Sequence, residues 1–153
     1  MKYIVAGGRN FNNYLTLSTV LCWKINPLKD EIVSGDAQGA DTGGARWAEK
    51  HNVPIHHFPA NWDEFGITAG YIRNAEMGNF ADAAIIFWNG KTKGTTHMIK
   101  TMKFADKPYW VYDYEGKLQE QNKKAKEIDE MNARTGQSML NWKANEHIEL
   151  ENL

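Results

Sequence analysis

The sequence has a single cysteine, Cys22, among its 153 residues, so it cannot form an internal disulfide bond. The apolar neighbours of Cys22 indicate a place in a core, and the absence of disulfides is typical of a reducing compartment. The chain also lacks an apolar run of membrane-spanning length and a charged leader followed by a long hydrophobic region. We therefore expect a cytoplasmic protein with no part in a membrane.

A surplus of charge of either sign is missing as well. The 18 basic and 19 acidic residues give a formal net charge of −1, so no overall basic field attracts DNA or RNA, and nucleic-acid binding is not expected. His56 and His57 are adjacent in a predicted strand and point to opposite faces, so they cannot grip one metal ion together. With no carboxylate cluster to hold magnesium, the sequence predicts no metal site and no cofactor.

What the chain does have is a repeated pattern of a short apolar run, a glycine-rich turn and a helical stretch. Strands alternating with helices predict an α/β, Rossmann-like three-layer fold, with a mostly parallel sheet of about five strands and helices on both faces. The predicted strands are 2–6, 31–34, 53–58, 82–88 and 108–112, and the predicted helices are 14–26, 41–52, 68–80 and 95–105.

The last part of the chain is different in composition, being rich in Lys, Glu, Asn and Gln. We predict a ligand-binding domain over residues 1–114 and a helical C-terminal extension over 115–153, which packs on the domain or on a partner subunit. Its broken apolar stripe predicts one exposed helix, followed by a short segment with Met139, Leu140 and Trp142 that packs or binds a partner.

Three glycine-rich loops follow the first, second and fourth predicted strands and face the same edge of a parallel sheet, where such folds bind ligands. Helix starts at Asp41 and Thr95 would offer free backbone N–H groups to phosphate oxygens. Gly43, in the first turn of a helix, predicts a close approach by backbone or ligand. The loops predict a site formed by Gly7, Gly8, Arg9, Phe11, Gly35, Asp36, Gly39, Asp41, Gly43, Trp88, Asn89, Gly90, Lys93, Gly94, Thr95 and Thr96.

Several of these side chains have a second explanation. Arg73, on the helix after the third strand, would form a bidentate pair with phosphate or a salt bridge with Glu76. Asp41 would contact a ribose hydroxyl or cap its helix. Trp88 and Phe11 would stack on a base, although core packing explains aromatic residues as well.

Two familiar phosphate motifs are absent. The sequence around Gly90 resembles the end of a nucleotide-triphosphatase loop, but the required glycine five residues earlier is Ile85. No G-x-G-x-x-G fingerprint follows the first strand. Neither ATP hydrolysis nor nicotinamide-dependent redox chemistry is expected.

Six segments nevertheless resemble, in order, the YspA or cpYpsA-related branch of the SLOG superfamily. The resemblance covers residues 2–113 and implies a Rossmann-like fold, a pocket for a nucleotide or nucleotide-derived ligand with Arg73 and Asn74 facing it, and a homo-oligomer. The segments are GGRNF (7–11), SGDAQGAD (34–41), WA (47–48), FPANW (58–62), AGYIRNAEM (69–77) and KGTT (93–96).

One departure bears on catalysis. The LOG phosphoribohydrolases of this superfamily carry a loop glutamate that helps to cleave an N-glycosidic bond, and Met98 stands at that position here. A thioether cannot transfer protons, so hydrolysis would need another group, and the candidates are Asp36, Asp41, Glu76 and His97. Whether the protein is an enzyme is left open at this point.

Three functions remain. The first is a sensor or sequestering protein for an ADP-ribose-like or nucleoside-phosphate ligand, which in a viral setting would be a host signalling nucleotide. The second is a nucleotide phosphoribohydrolase. The third, akin to the superfamily's DNA-processing protein A, is binding of single-stranded DNA, which the near-neutral charge disfavours.

Overall fold

The computed structural model of the protein describes residues 1–152. Its centre is a six-stranded sheet with the strand order β3-β2-β1-β4-β5-β6, in which the first five strands are parallel and β6 runs antiparallel to β5. This confirms the predicted α/β, mostly parallel architecture. The strands are β1 (Lys2–Gly7), β2 (Glu31–Ser34), β3 (Ile55–His57), β4 (Ala83–Phe87), β5 (Tyr109–Tyr112) and β6 (Leu118–Gln121).

Helices cover both faces of this sheet. Successive residues of a strand point to opposite faces, so Val5 of β1 packs with Leu17 and Trp47 on one face, whereas Ile4 packs with Met77 and Met98 on the other. The helices are α1 (Tyr14–Lys24), α2 (Ala40–Lys50), α3 (Trp62–Phe65), α4 (Ala69–Phe80), α5 (Lys93–Ala105), α6 (Lys123–Thr135) and α7 (Gln137–Glu151), with a 3₁₀ turn at Gly66–Thr68. Within residues 1–152, no helix has the length and apolarity to cross a membrane.

The strand order reverses between β1 and β4. The chain leaves β1 toward α1 and α2 on one face, and it leaves β4 toward α5 on the other face. Because the two loops diverge to opposite sides, they open a crevice beyond the carboxyl ends of β1 and β4, where open α/β sheets bind ligands.

The C-terminal extension adds to the sheet and to one helix layer. Its first residues form the edge strand β6, and α7 packs on α1, with Trp142 stacked on Trp23 at a ring separation of 4.8 Å. Met139 and Leu140, in contrast, are about half exposed. The boundary after residue 114 stays a prediction.

A buried asparagine, Asn145, joins α7 to the end of α1. Its amide nitrogen donates to the carbonyls of Cys22 (3.2 Å) and Ile25 (2.9 Å), and its oxygen lies 2.9 Å from Nδ1 of His51. Ile25 is the C-cap of α1, so Asn145 satisfies carbonyls that the end of a helix leaves without partners.

We expect Asn145→Ala to lower the free energy of unfolding by about 3 kcal/mol, because it leaves buried polar groups without partners. Chemical denaturation measures the change. The neighbouring, exposed Glu146 supplies the control: Glu146→Ala should stay within about 0.5 kcal/mol of the wild type. Equal losses in the two variants would contradict a specific role for Asn145.

Candidate functional site

A cavity of about 260 Å³ occupies the crevice at the point where strand order reverses. Its walls come from the end of β1 and the loop after it, the first residues of α2, one residue of α4 and the start of α5. The lining residues are Ala6, Gly7, Gly8, Arg9, Asn10, Asp41, Asn74, Thr92, Gly94, Thr95 and Met98.

The start of α5 presents unbonded backbone amides at this cavity. The first amide of the helix that bonds back is that of Thr96, which donates to the carbonyl of Thr92 at 3.2 Å. Among residues 1–152, the N–H groups of Lys93, Gly94 and Thr95 have no acceptor. Because a helix N-terminus also carries the positive end of the helix dipole, this turn is suited to an anion such as a phosphate.

The start of α2 is less open, because the β1 loop lies against it. The first amide of α2, that of Ala40, donates to the carbonyl of Gly8 at 3.4 Å. A Cβ on Gly39 would lie 2.2 Å from the same Gly8 oxygen. The amides of Asp41 and Thr42 have no acceptor among residues 1–152, so both predicted phosphate sites keep unbonded amides, and the first turn of α5 offers one more than the first turn of α2.

The glycines inside α2 are explained by close packing of the protein itself. A Cβ on Gly44 would lie 2.7 Å from the side chain of Val5 in β1, and one on Gly43 would lie 3.0 Å from Leu17 in α1. The missing side chains allow α2 to lie close to the sheet and to α1. A ligand contact at Gly43 stays a prediction.

Asp41 is a buried carboxyl group in the wall of the cavity. Burial raises its pKa to about 7, although the nearby Arg73 guanidinium and hydrogen bonds from the Ala37 and Gly35 amides act in the opposite direction. The carboxyl group is therefore near the middle of its titration at neutral pH, which is where a general acid or base works best.

Arg73 lies behind Asp41. Its Nη1 donates to the carbonyl of Gly35 and its Nε donates to Asn74 at 3.2 Å, whereas no ion pair with Glu76 is present in the described part of the chain. A Cβ on Gly35 would lie 2.6 Å from Nη1 of Arg73 and 2.7 Å from Asp41. Glycine at position 35 thus leaves room for the pair, and Asn74 extends the network to the Gly94 carbonyl at 3.2 Å.

A second cavity, of about 480 Å³, adjoins the first and shares Arg9 and Asn10 with it. Phe11 contributes to its wall but is itself buried, stacked on Phe87 at 4.7 Å between ring centroids. The guanidinium of Arg46 lies 4.2 Å from the ring centre of Tyr14 at the other side. The other residues that line this second cavity are Asn12, Leu17, Gln38, Gly39, Thr42 and Gly43.

The structure brings together seven of the predicted site residues in the first cavity: Gly7, Gly8, Arg9, Asp41, Asn74, Gly94 and Thr95. Trp88, Asn89 and Gly90 lie apart, in a hollow bordered by Tyr114 and Glu115. Lys93 and Thr96 belong to the first turn of α5 without lining either cavity. Asp36 points to His57, with 2.7 Å between oxygen and nitrogen.

The structure also adds four lining residues that the sequence did not single out as ligand contacts: Ala6, Asn10, Thr92 and Met98. Thr92 is the N-cap of α5, and a threonine before a helix is a signal that sequence can give. Met98 lies one turn after Gly94 and is fully buried, so the position that carries a glutamate in LOG enzymes faces the cavity with a thioether. Of Asp36, Asp41, Glu76 and His97, only Asp41 lines the cavity.

The chain is similar to a known family and to a phage protein. Residues 1–65 match the family described as the YspA, cpYpsA-related SLOG family. The Gene 61 protein of Mycobacterium phage D29 is 30% identical to this chain, over a region that covers 70% of this chain and 98% of the phage protein. No solved structure matches the chain significantly.

Proposed function

Because this chain belongs to the YspA, cpYpsA-related SLOG family, we propose that it binds a nucleotide-derived ligand, either ADP-ribose-like or a nucleoside phosphate. It would act as a sensor of that ligand or as a protein that sequesters it. The observation that carries the proposal is the first turn of α5, where the backbone amides of Gly94 and Thr95, two residues that line the cavity between β1 and β4, have no acceptor among residues 1–152.

The remaining walls suit the other parts of such a ligand. The first cavity, at about 260 Å³, has room for a phosphate and part of a ribose, with Asn74 and Asp41 as hydrogen-bonding partners for hydroxyl groups. Arg9 borders both cavities, so a ligand that extends from one to the other passes its guanidinium. A molecule longer than a phosphate sugar would reach the second cavity, beside Tyr14 and Arg46.

The amide of Lys93 tests the proposed phosphate site, because it belongs to the same first turn of α5 as the amides of Gly94 and Thr95, although Lys93 itself does not line the cavity. Lys93 is the first residue of α5, where proline is tolerated, and the preceding Thr92 is already extended at ψ 130°, as a residue before proline requires. Lys93→Pro should thus keep the helix but remove one amide donor. Lys93→Ala removes the same charged side chain and keeps the amide.

With ADP-ribose and AMP as probes, we expect Lys93→Pro to bind roughly 10-fold to 100-fold more weakly than Lys93→Ala, which is the value of one hydrogen bond to a charged group. Isothermal titration calorimetry measures the two affinities. Equal affinities in the two variants, with clear binding by both, would place the phosphate elsewhere. Absence of binding by the wild type to any member of a nucleotide panel would reject the proposed function.

A second candidate function rests on Asp41. A carboxyl group with a pKa of about 7 in the wall of the cavity would serve as the acid or base of an N-glycosidic cleavage, in place of the glutamate that Met98 replaces. Chromatography of the same binding mixtures tests this. Release of free base by the wild type but not by Asp41→Asn would favour a phosphoribohydrolase, and unchanged nucleotide would favour a binding protein.

We also propose that the protein is a homo-oligomer. The groove between α4 and α5 carries Phe104 with 96% of its surface exposed, together with Ala75 and Ala105, which is unusual for a surface that stays in water. Light scattering on the purified protein gives the number of chains per particle.

A further inference from the structure

Three side chains with metal-binding donor atoms converge on the helix layer of α1, α2 and α7, away from the candidate ligand site. Cys22 belongs to α1, His51 follows α2 directly, and Glu149 belongs to α7. Their donor atoms all lie within 4.8 Å of one another. Cys22 and His51 are buried, and Glu149 is the one of the three that is open to solvent.

The hydrogen bonds of Asn145 fix the state of the His51 ring. The amide nitrogen of Asn145 donates to two backbone carbonyls, so its oxygen must be the atom that faces Nδ1 of His51 at 2.9 Å. Since that oxygen only accepts, Nδ1 carries the hydrogen. In the neutral ring, Nε2 then presents its lone pair. A histidine that ligates a metal is usually oriented in this way, by a hydrogen bond from its other nitrogen.

The lone pair of Nε2 points at another acceptor. Oε1 of Glu149 lies 2.8 Å from Nε2, so the two atoms share either a proton or a metal ion. A metal ion would be shared with the third donor, Cys22.

A buried hydrogen-bond donor without a partner lies beside Cys22. The indole N–H of Trp47, whose side chain is fully buried, has no hydrogen-bond acceptor at normal distance among residues 1–152. A metal-bound thiolate would keep its charge in this buried place and would give the Trp47 N–H an acceptor.

We propose that Cys22 Sγ, His51 Nε2 and the Glu149 carboxylate bind a divalent transition metal, with Zn²⁺ as the ion that best fits one sulfur, one nitrogen and one oxygen donor. Bond lengths of roughly 2.0–2.3 Å to each donor require donor atoms roughly 3–4 Å apart, so separations of up to 4.8 Å would have to close by roughly 1 Å on binding. Binding releases the thiol proton to solvent. The ion joins α7 to α1 and α2, and water completes its coordination.

Tag-free protein, treated with a chelator and then titrated with Co²⁺ and Zn²⁺, tests the proposal. We expect one Co²⁺ per chain, with the near-ultraviolet absorption of a thiolate–cobalt bond and the visible bands of a tetrahedral ion. Excess Zn²⁺ should displace the Co²⁺ and raise the Tm by about 5 °C. Cys22→Ala should lose the thiolate absorption, and Glu149→Gln, at the surface, should weaken Co²⁺ binding at least about tenfold.

His147 and Glu151 are the matched control, since they form an exposed pair on the same helix with 3.0 Å between nitrogen and oxygen. His147→Gln should leave both metal signals unchanged. Wild-type protein without thiolate–cobalt absorption, or with a Zn²⁺-dependent Tm shift that persists in Cys22→Ala, would overturn the proposal and leave His51 and Glu149 as an ion pair. A shift lost in His147→Gln would overturn it equally.

Discussion

Gly39→Ala is expected to destabilise the protein by more than about 4 kcal/mol, whereas Gly90→Ala should cost about 1 kcal/mol. Both glycines have a positive φ, +83° and +84°, so an alanine is strained at either position. They differ in their surroundings. A Cβ on Gly90 would meet nothing within 4 Å, but one on Gly39 would lie 2.2 Å from the Gly8 carbonyl oxygen.

The atoms that a Cβ on Gly39 would contact belong to the backbone, so moving them has a high free-energy cost. The next nearest atoms are the backbone carbon and oxygen of Arg9, each 2.8 Å from the added Cβ, so the whole β1 loop would have to shift. Overpacking against backbone is among the few single changes that exceed about 4 kcal/mol. Chemical denaturation of both variants gives the comparison. Similar losses for Gly39→Ala and Gly90→Ala would mean that the β1 loop yields and is not held against α2.

Gly39→Ala should also abolish ligand binding, because the β1 loop supplies Gly8, Arg9 and Asn10 to the cavity wall. We expect ADP-ribose to stabilise Gly90→Ala as it stabilises the wild type, and to leave the Tm of Gly39→Ala unchanged. A thermal shift retained in Gly39→Ala would show that the ligand does not depend on this loop.

Most of the sheet could be predicted from the sequence because buried parallel strands leave a strong signal. Residues 83–87 are apolar without interruption, and β4 is covered on both faces, with all five residues buried. The edge strand β6 gave no such signal. Its sequence, LQEQ, is largely polar, and it is held by backbone pairing with β5 and not by an apolar face, so a pattern of side chains does not reveal it.

The site was predictable to the extent that it depends on strand ends. Loops after β1 and β4 meet where the strand order reverses, and Gly8 and Gly94 line one cavity there. Side-chain direction was not predictable in the same way. Trp88 comes directly after β4, yet its indole N–H donates to the carbonyl of Thr92 at 3.2 Å and its ring lies in a different hollow.

Long-range clusters leave even less trace in the sequence. His51 and Glu149 are 98 residues apart, and only the docking of α7 on α1 brings them to 2.8 Å. Metal motifs recognised from sequence depend on short spacings between ligands, and this group has none. The expectation of no metal was therefore based on local spacing alone, and the proposed zinc site tests it.

The affinity for ADP-ribose should fall as pH rises through about 7. Burial holds the pKa of Asp41 at about 7 in the free protein, and a phosphate charge nearby would raise it further in the complex. The complex therefore keeps a proton that the free protein loses, so binding is tightest below pH 7 and weakens above it. A charge at about 5 Å in a medium of effective dielectric about 20 contributes about 3 kcal/mol, which limits the loss to about 100-fold.

ADP-ribose is the right probe because its diphosphate does not titrate near neutral pH, unlike the monoester phosphate of AMP, whose second pKa is about 6. Calorimetry at a series of pH values gives the profile for the wild type and for Asp41→Asn. The asparagine has the shape of aspartate without its charge, so its profile should be flat and should match the wild type at low pH. A pH-dependent loss that persists in Asp41→Asn would assign the titration to another group.

A substitution of Arg73 provides a second test, because it should change the pKa of Asp41 in a known direction. The Arg73 guanidinium lowers the pKa of Asp41 against the larger effect of burial, so removing the charge should move the pKa upward. Arg73→Gln keeps a donor for the Gly35 carbonyl but has no charge. The pH at which affinity begins to fall should therefore be higher in Arg73→Gln than in the wild type. A lower midpoint, or none, would mean that a group other than Asp41 senses the bound phosphate.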